Sequence, residues 1–78
     1  MSIIETIKSG LSLANLLYGS KVPSELIDRV FNILEAAAEE GLELLENEFR
    51  YLTMHIQRTK ARGNSVTEFI EGWLELRE

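Results

Sequence analysis

The residues of this sequence that could carry chemistry are carboxylates at helical spacing. Glu39, Glu40 and Glu43 form the pattern E-E-x-x-E, and Glu68 and Glu71 follow at a spacing of three. On a helix, carboxylates three or four residues apart share a face, where they could hold Mg²⁺ over a phosphate. Glu-rich helices match this pattern often, so a solvated helix face is the favoured interpretation.

The acidic pattern is similar to that of all-α nucleotide pyrophosphatases. The resemblance implies Mg²⁺-dependent nucleotide hydrolysis by four carboxylates, Glu39, Glu40, Glu43 and Glu71. That family ends its second motif in Asp, where this chain has Glu71, and its nucleotide pocket requires a longer chain. The hydrolase therefore stays an alternative, and we predict no enzyme, no metal site and no cofactor.

Other reactive side chains are scarce. The chain has no cysteine, which excludes disulfides and thiolate zinc sites. Its one histidine, His55, has no cysteine or serine arranged around it as in a catalytic triad. We expect His55 at the surface or an interface near Trp73. The helical phase of Trp73 matches Phe69 and Ile70, which favours a core position, although tryptophan is also enriched in recognition sites.

The charge distribution disfavours nucleic acid and anionic membranes. Thirteen acidic and eight basic residues give a net charge of −5, whereas phosphate binding requires neutralising cations. Residues 50–62 do carry four cations and no acid, Arg50, Arg58, Lys60 and Arg62. Cations suit the C-terminus of a helix, so we interpret this segment structurally. A dimeric nucleic-acid-binding regulator stays a second alternative.

The elements that position these residues are all predicted to be helices, because Leu, Glu and Ala dominate and no alternating strand pattern occurs. The first helix covers about 2–18. Ser2 and Glu5 have the spacing of a capping box, and Gly19 is placed to end the helix in the left-handed conformation. One apolar face is expected to pack on the second helix: Ile3, Ile7, Leu11, Ala14 and Leu17.

The second helix is predicted to be one long element, about 23–62, or roughly 60 Å at 1.5 Å per residue. Pro23 suits its first turn. Its apolar stripe keeps the helical period across Gly41: Ile27, Phe31, Leu34, Ala38, Leu42, Leu45, Phe49, Leu52 and Ile56. A break at Gly41 would leave Glu39 and Glu40 at a helix C-terminus and supply no capping side chain. A four-helix arrangement broken at Gly41 is therefore the alternative.

A third helix is predicted over about 66–77, after Gly63 and Asn64 end the second. Ser65 and Glu68 repeat the capping-box spacing. Since the turns are short, both flanking helices should fold back antiparallel onto the central one. We expect Phe69 and Ile70 near Arg58, and Trp73 near His55.

The predicted lengths leave the middle of the long helix uncovered. An exposed apolar patch there would mark an interaction site. The predicted interface residues are Leu42, Leu44, Leu45, Phe49, Leu52 and Trp73. Together these patterns predict a single cytoplasmic helical domain, residues 1–78, that works as a non-enzymatic interaction protein, such as an adaptor, regulator or assembly factor. We expect a homodimer, with a different protein as another possible partner, and neither a membrane nor a nucleic acid. Small helical proteins of phages and plasmids often look like this.

Overall fold

The protein is built from helices alone. A computed structural model describes residues 2–78, and over this range it has four helices and no strand. The helices are α1 (Ile3–Gly19), α2 (Ser24–Glu40), α3 (Leu42–Ala61) and α4 (Val66–Arg77). The predicted all-α class is confirmed. The predicted three-helix arrangement is wrong, and the four-helix alternative describes the chain.

The long central helix ends at Gly41. This residue has φ 148° and ψ 154°, and its N–H donates to the Ala38 carbonyl at 3.2 Å. The longest dimension of the Cα trace is 33 Å. A continuous helix over residues 23–62 would need roughly 60 Å, about twice that length. The chain therefore reverses at Gly41 and forms the α2–α3 hairpin.

Burial explains why the helix breaks despite its unfavourable ends. Leu34 of α2 and Leu45 and Phe49 of α3 are all buried in one core cluster. Burying a large apolar side chain contributes about 1.5–3 kcal/mol, whereas an uncapped or badly charged helix end costs on the order of 1 kcal/mol. The apolar residues of α2 and α3 keep one helical phase across Gly41, because each arm of the hairpin buries the face that carries them. Ala38 and Leu42, which flank the break, are exposed.

The helix ends follow the predicted caps in part. The Ser2 and Ser65 hydroxyls accept from the N–H groups of Glu5 and Glu68 at 3.1 and 3.2 Å. Gly63 has φ 73° after the end of α3, as expected of a glycine that ends a helix. After α1, however, the residue with positive φ is Lys21, at 61°, and not Gly19.

The predicted inward face of α1 is confirmed at Leu17 and wrong at Ile3, Ile7 and Leu11. Thr6, Leu13 and Leu17 are its buried residues, while Ile3, Ile7 and Leu11 are exposed. α1 packs chiefly on α3, where the Ser9 hydroxyl donates to Glu46 Oε1 at 3.0 Å. The prediction assumed that α1 would lie along a continuous second helix. Since that helix is folded at Gly41, α1 turns a different side inward.

The predicted α4 is confirmed in extent and in face. Val66, Ile70, Trp73 and Leu74 are buried. The contacts that α4 makes run in the order opposite to α3, so the two helices are antiparallel. The Phe69 ring stacks on His55, with centroids 5.9 Å apart, and Arg77 Nε lies 3.8 Å from Glu48 Oε2. Phe69 therefore meets α3 about one turn earlier than the predicted position near Arg58.

Candidate functional site

An exposed row of aliphatic side chains on α1 is the largest apolar feature on the surface of the first helix. We name it the α1 stripe and define it by four residues, Ile3, Ile4, Ile7 and Leu11. Each of these side chains is between 56% and 62% exposed. Such exposure is high for large aliphatic groups, which are normally among the most buried residues.

The α1 stripe arises because α1 carries more apolar residues than one buried face can use. Leu13 and Leu17 are fully buried against the core. Ile3, Ile7 and Leu11 follow one another at steps of four, so they share a second face beside the buried one. Tyr18 continues this face and is 56% exposed. The stripe is therefore a continuous surface rather than scattered single residues.

The predicted interface residues divide into two groups. Leu45, Phe49, Leu52 and Trp73 are at most 9% exposed and belong to the core of the chain itself. The expectation that Leu45 and Phe49 lie uncovered is wrong, because the other helices cover them once the chain folds back at Gly41. Trp73 takes the core position that its helical phase favours. Leu42 and Leu44, both 40% exposed, lie in the first turn of α3 and do remain at the surface.

Leu42 lies at the side of α3 that faces α1. It precedes Glu46 by one helical turn, and the Glu46 carboxylate accepts the hydrogen bond from Ser9. Leu42 therefore adds an exposed apolar side chain of α3 near the α1–α3 contact. The periodicity of α1 contained the signal for this site, since Ile3, Ile7 and Leu11 stand out as an apolar row, but periodicity alone could not tell a buried row from an exposed one.

Two of the four helices, α1 and α3, carry no net charge, because α3 has three acids (Glu43, Glu46 and Glu48) and three bases (Arg50, Arg58 and Lys60). α1 has one acid and one base, Glu5 and Lys8, and is neutral overall. α2 has five acids and one arginine, and three acids and one arginine lie in α4. A second copy of this protein would meet like charge at α2 or α4, but it would meet no net charge at α1.

The carboxylate pattern does not assemble into a metal site in the structure. Glu39 and Glu40 end α2, whereas Glu43 lies beyond the break in α3. The common helical face that the hydrolase alternative requires is therefore absent. Among the residues from 2 to 78, no group of three acidic or histidine side chains is placed to hold a metal ion.

His55 belongs to an aromatic cluster with Tyr51 and Phe69 between α3 and α4, and Trp73 lies on α4. The His55 ring lies 4.2 Å from the Tyr51 ring and stacks on Phe69. The Arg77 guanidinium covers the Trp73 ring at 4.3 Å, a cation–π arrangement. Trp73 is 3% exposed, so its main role is in the core. These contacts give His55 a structural position.

The cations that end α3 lie on the surface. Arg58, Lys60 and Arg62 are all exposed, and none forms an ion pair within the described part of the chain. Over the same residues, no helix is both long enough and apolar enough to cross a membrane.

No family model, curated protein or solved structure matches this chain.

Proposed function

We propose that this protein is a small, non-enzymatic interaction module that self-associates through the α1 stripe. The observation that carries the proposal is the exposure of four large aliphatic side chains on one helix, at 56–62% each. Together they present on the order of 400 Å² of apolar surface, within the range of the largest patches on soluble monomers, which are often functional.

The spacing of the stripe suits a second copy of the same chain. In a two-fold dimer, each chain contributes the same patch, and residue i meets residue j in both directions. An antiparallel pair of α1 helices centred on Ile7 would place Ile3 against Leu11 of the partner. The two Ile7 side chains would meet at the axis. Ile3 and Leu11 lie four residues on either side of Ile7, so the row of one chain matches the same row of an antiparallel second chain.

The charge distribution supports the same choice. Two chains of net charge −5 repel each other overall, so a shared interface is best formed where each chain is neutral. α1 has this property, as does α3, whereas the acidic helices α2 and α4 do not. A heterologous partner of basic character would instead be attracted to α2, whose exposed acids lie outside the stripe.

The size of the interface also bears on the proposal. A standard stable interface buries about 800 Å² on each partner, roughly twice what the stripe alone offers. Tyr18, at the end of α1, lies on the same helical face and is 56% exposed, so it would enlarge the interface. The expected complex is therefore a dimer whose formation depends on protein concentration.

Size-exclusion chromatography with light scattering tests this proposal. We expect a particle of twice the 8.9 kDa chain mass at high protein concentration. Ile7→Glu should convert it to a monomer, because two carboxylates would face each other at the dimer axis. Leu76→Glu is the matched control, since Leu76 is 85% exposed but lies on α4. A wild type that stays monomeric at several hundred micromolar would contradict self-association.

A further inference from the structure

A cleft of about 400 Å³ lies between α1 and α3. Its walls come from polar residues of both helices, and apolar side chains lie among them. The lining residues are Lys8, Ser9, Ser12, Phe49, Arg50, Thr53, Met54 and Gln57. Its volume falls within the range of about 300–1,000 Å³ that is common for small-molecule sites.

The polar walls of this cleft consist of hydrogen-bond donors. Lys8 and Arg50 are cations, and Ser12, Thr53 and Gln57 can donate from hydroxyl or amide groups. No carboxylate lines the cleft, although the chain has thirteen acidic and eight basic residues. An acid-free cleft with two cations thus stands apart from the rest of this acidic protein.

Both cations are available to a ligand. Within residues 2–78 the ion pairs are Arg29–Glu78 and Arg77–Glu48, and neither includes Lys8 or Arg50. Arg50 donates one hydrogen bond, from Nη2 to Asn47 Oδ1 at 3.1 Å, which leaves its other N–H groups free. Its guanidinium could therefore bind an oxyanion with two parallel hydrogen bonds.

One carboxylate, that of Glu46, is hydrogen-bonded to a residue of the cleft lining. Glu46 accepts from the hydroxyl of Ser9 through Oε1, and its Oε2 atom is buried without a partner. The carboxylate therefore holds α1 against α3 and is not part of the cleft lining. It does not neutralise Lys8 or Arg50 through an ion pair.

The apolar part of the lining indicates what else a ligand must contain. Phe49 contributes to the lining, and Met54 is 45% exposed. A methionine side chain is flexible and adapts to ligands of different shape. Covering the exposed part of Met54 requires an apolar body in the ligand. An inorganic anion would satisfy the cations but leave this surface in water.

We propose that the α1–α3 cleft binds a small organic anion, in which a carboxylate or phosphate group is attached to an aromatic or aliphatic body. Lys8 and Arg50 bind the anionic group, while Phe49 and Met54 contact the body. Ser12 and Thr53 supply further hydrogen bonds. This site shares no residue with the α1 stripe, and it adds a ligand to the interaction module.

Amide chemical shifts in two-dimensional NMR spectra provide the test. The probes are phenyl phosphate, benzoate, benzyl alcohol and inorganic phosphate. We expect saturable shifts at the cleft residues with phenyl phosphate and benzoate. Benzyl alcohol lacks the charge and inorganic phosphate lacks the body, so each should bind at least about tenfold more weakly. Equal binding of benzyl alcohol, or no saturation with either aromatic anion, would overturn the proposal.

Substitutions test whether the ligand binds in the α1–α3 cleft. The double substitution Lys8→Gln and Arg50→Gln should weaken phenyl phosphate binding about tenfold, because it removes two partly solvated ion pairs. Arg62→Gln, which removes an exposed cation outside the cleft, should leave binding unchanged. Equal losses of phenyl phosphate affinity in the double variant and in Arg62→Gln would overturn the assignment of binding to this cleft. Ile7→Glu should retain ligand binding whatever its oligomeric state, which separates this proposal from self-association.

Discussion

Phe49 Cζ lies 3.2 Å from the position that a Cβ atom on Gly10 would occupy. This close approach brings α1 onto α3 and forms the wall that the α1–α3 cleft shares with the core. In the sequence, Gly10 looks like a weak point in the middle of α1, because glycine disfavours helices. In the structure, the missing side chain is what allows the aromatic ring to pack against the helix backbone.

Gly10→Ala should lower the free energy of unfolding, whereas Gly72→Ala should raise it. Replacing glycine by alanine inside a helix stabilises it by up to about 1 kcal/mol, and nothing lies within 4 Å of a Cβ at Gly72. At Gly10 the gain is offset by displacement of Phe49, for a net loss of about 1 kcal/mol. Urea unfolding measures the free energy of unfolding of both variants. Equal gains in the two variants would mean that Phe49 moves freely.

Gly41→Ala should destabilise the protein by about 1–3 kcal/mol, because φ 148° is strained for any residue with a side chain. Gly19→Ala is the control: Gly19 lies at the end of α1, has open space around it and has no positive φ. Thermal denaturation followed by circular dichroism compares them. An elongated particle in X-ray scattering of the Gly41→Ala protein would indicate instead that α2 and α3 join into one helix.

Leu45→Glu should unfold the protein rather than only dissociate a dimer. Leu45 is 9% exposed and packs in the core, while its neighbour Leu44 is 40% exposed. Burying an unpaired carboxylate costs several kcal/mol, so Leu45→Glu should lose most of its helical signal at 25 °C. Leu44→Glu should retain it. Circular dichroism distinguishes the two, and a fully helical Leu45→Glu protein would contradict the hairpin packing.

The pKa of the Glu78 carboxyl should rise when Arg29 is replaced by glutamine. Arg29 Nε donates to Glu78 Oε2 at 3.0 Å, and Arg29 Nη2 donates to Oε1. These hydrogen bonds lower the pKa of Glu78 and raise that of Arg29. Carbon NMR titration of the Glu78 side chain measures the change. An identical midpoint in wild type and Arg29→Gln would show that the pair does not form in solution.

The pH dependence of stability follows from the direction of this shift. Glu78 has a depressed pKa in the folded state, so its contribution is present above the unfolded pKa. The contribution is lost as the pH falls through the folded value. Because both groups are exposed to solvent, the effect on stability should be small and should weaken further with added salt.

Sequence patterns predicted the local elements of this protein well. Ser2 and Ser65 mark helix starts, Gly63 marks a helix end, and Val66, Ile70 and Trp73 mark the buried face of α4. Each of these features depends on residues within a few positions along the chain. The apolar row of α1 was equally visible, but its burial depends on which helix lies beside it.

Composition and short-range spacing by themselves determined that this protein is helical, acidic and free of cysteine chemistry. Only the tertiary structure decided that the chain folds back at Gly41, because helix phase is the same in a straight helix and in a hairpin that buries both arms. That one reversal covers Leu45 and Phe49, turns α1 onto another face, and leaves Ile3, Ile7 and Leu11 in solvent. The apolar faces of elements distant in sequence compete for burial in one core. The side chains of the proposed interface are those that this competition leaves exposed.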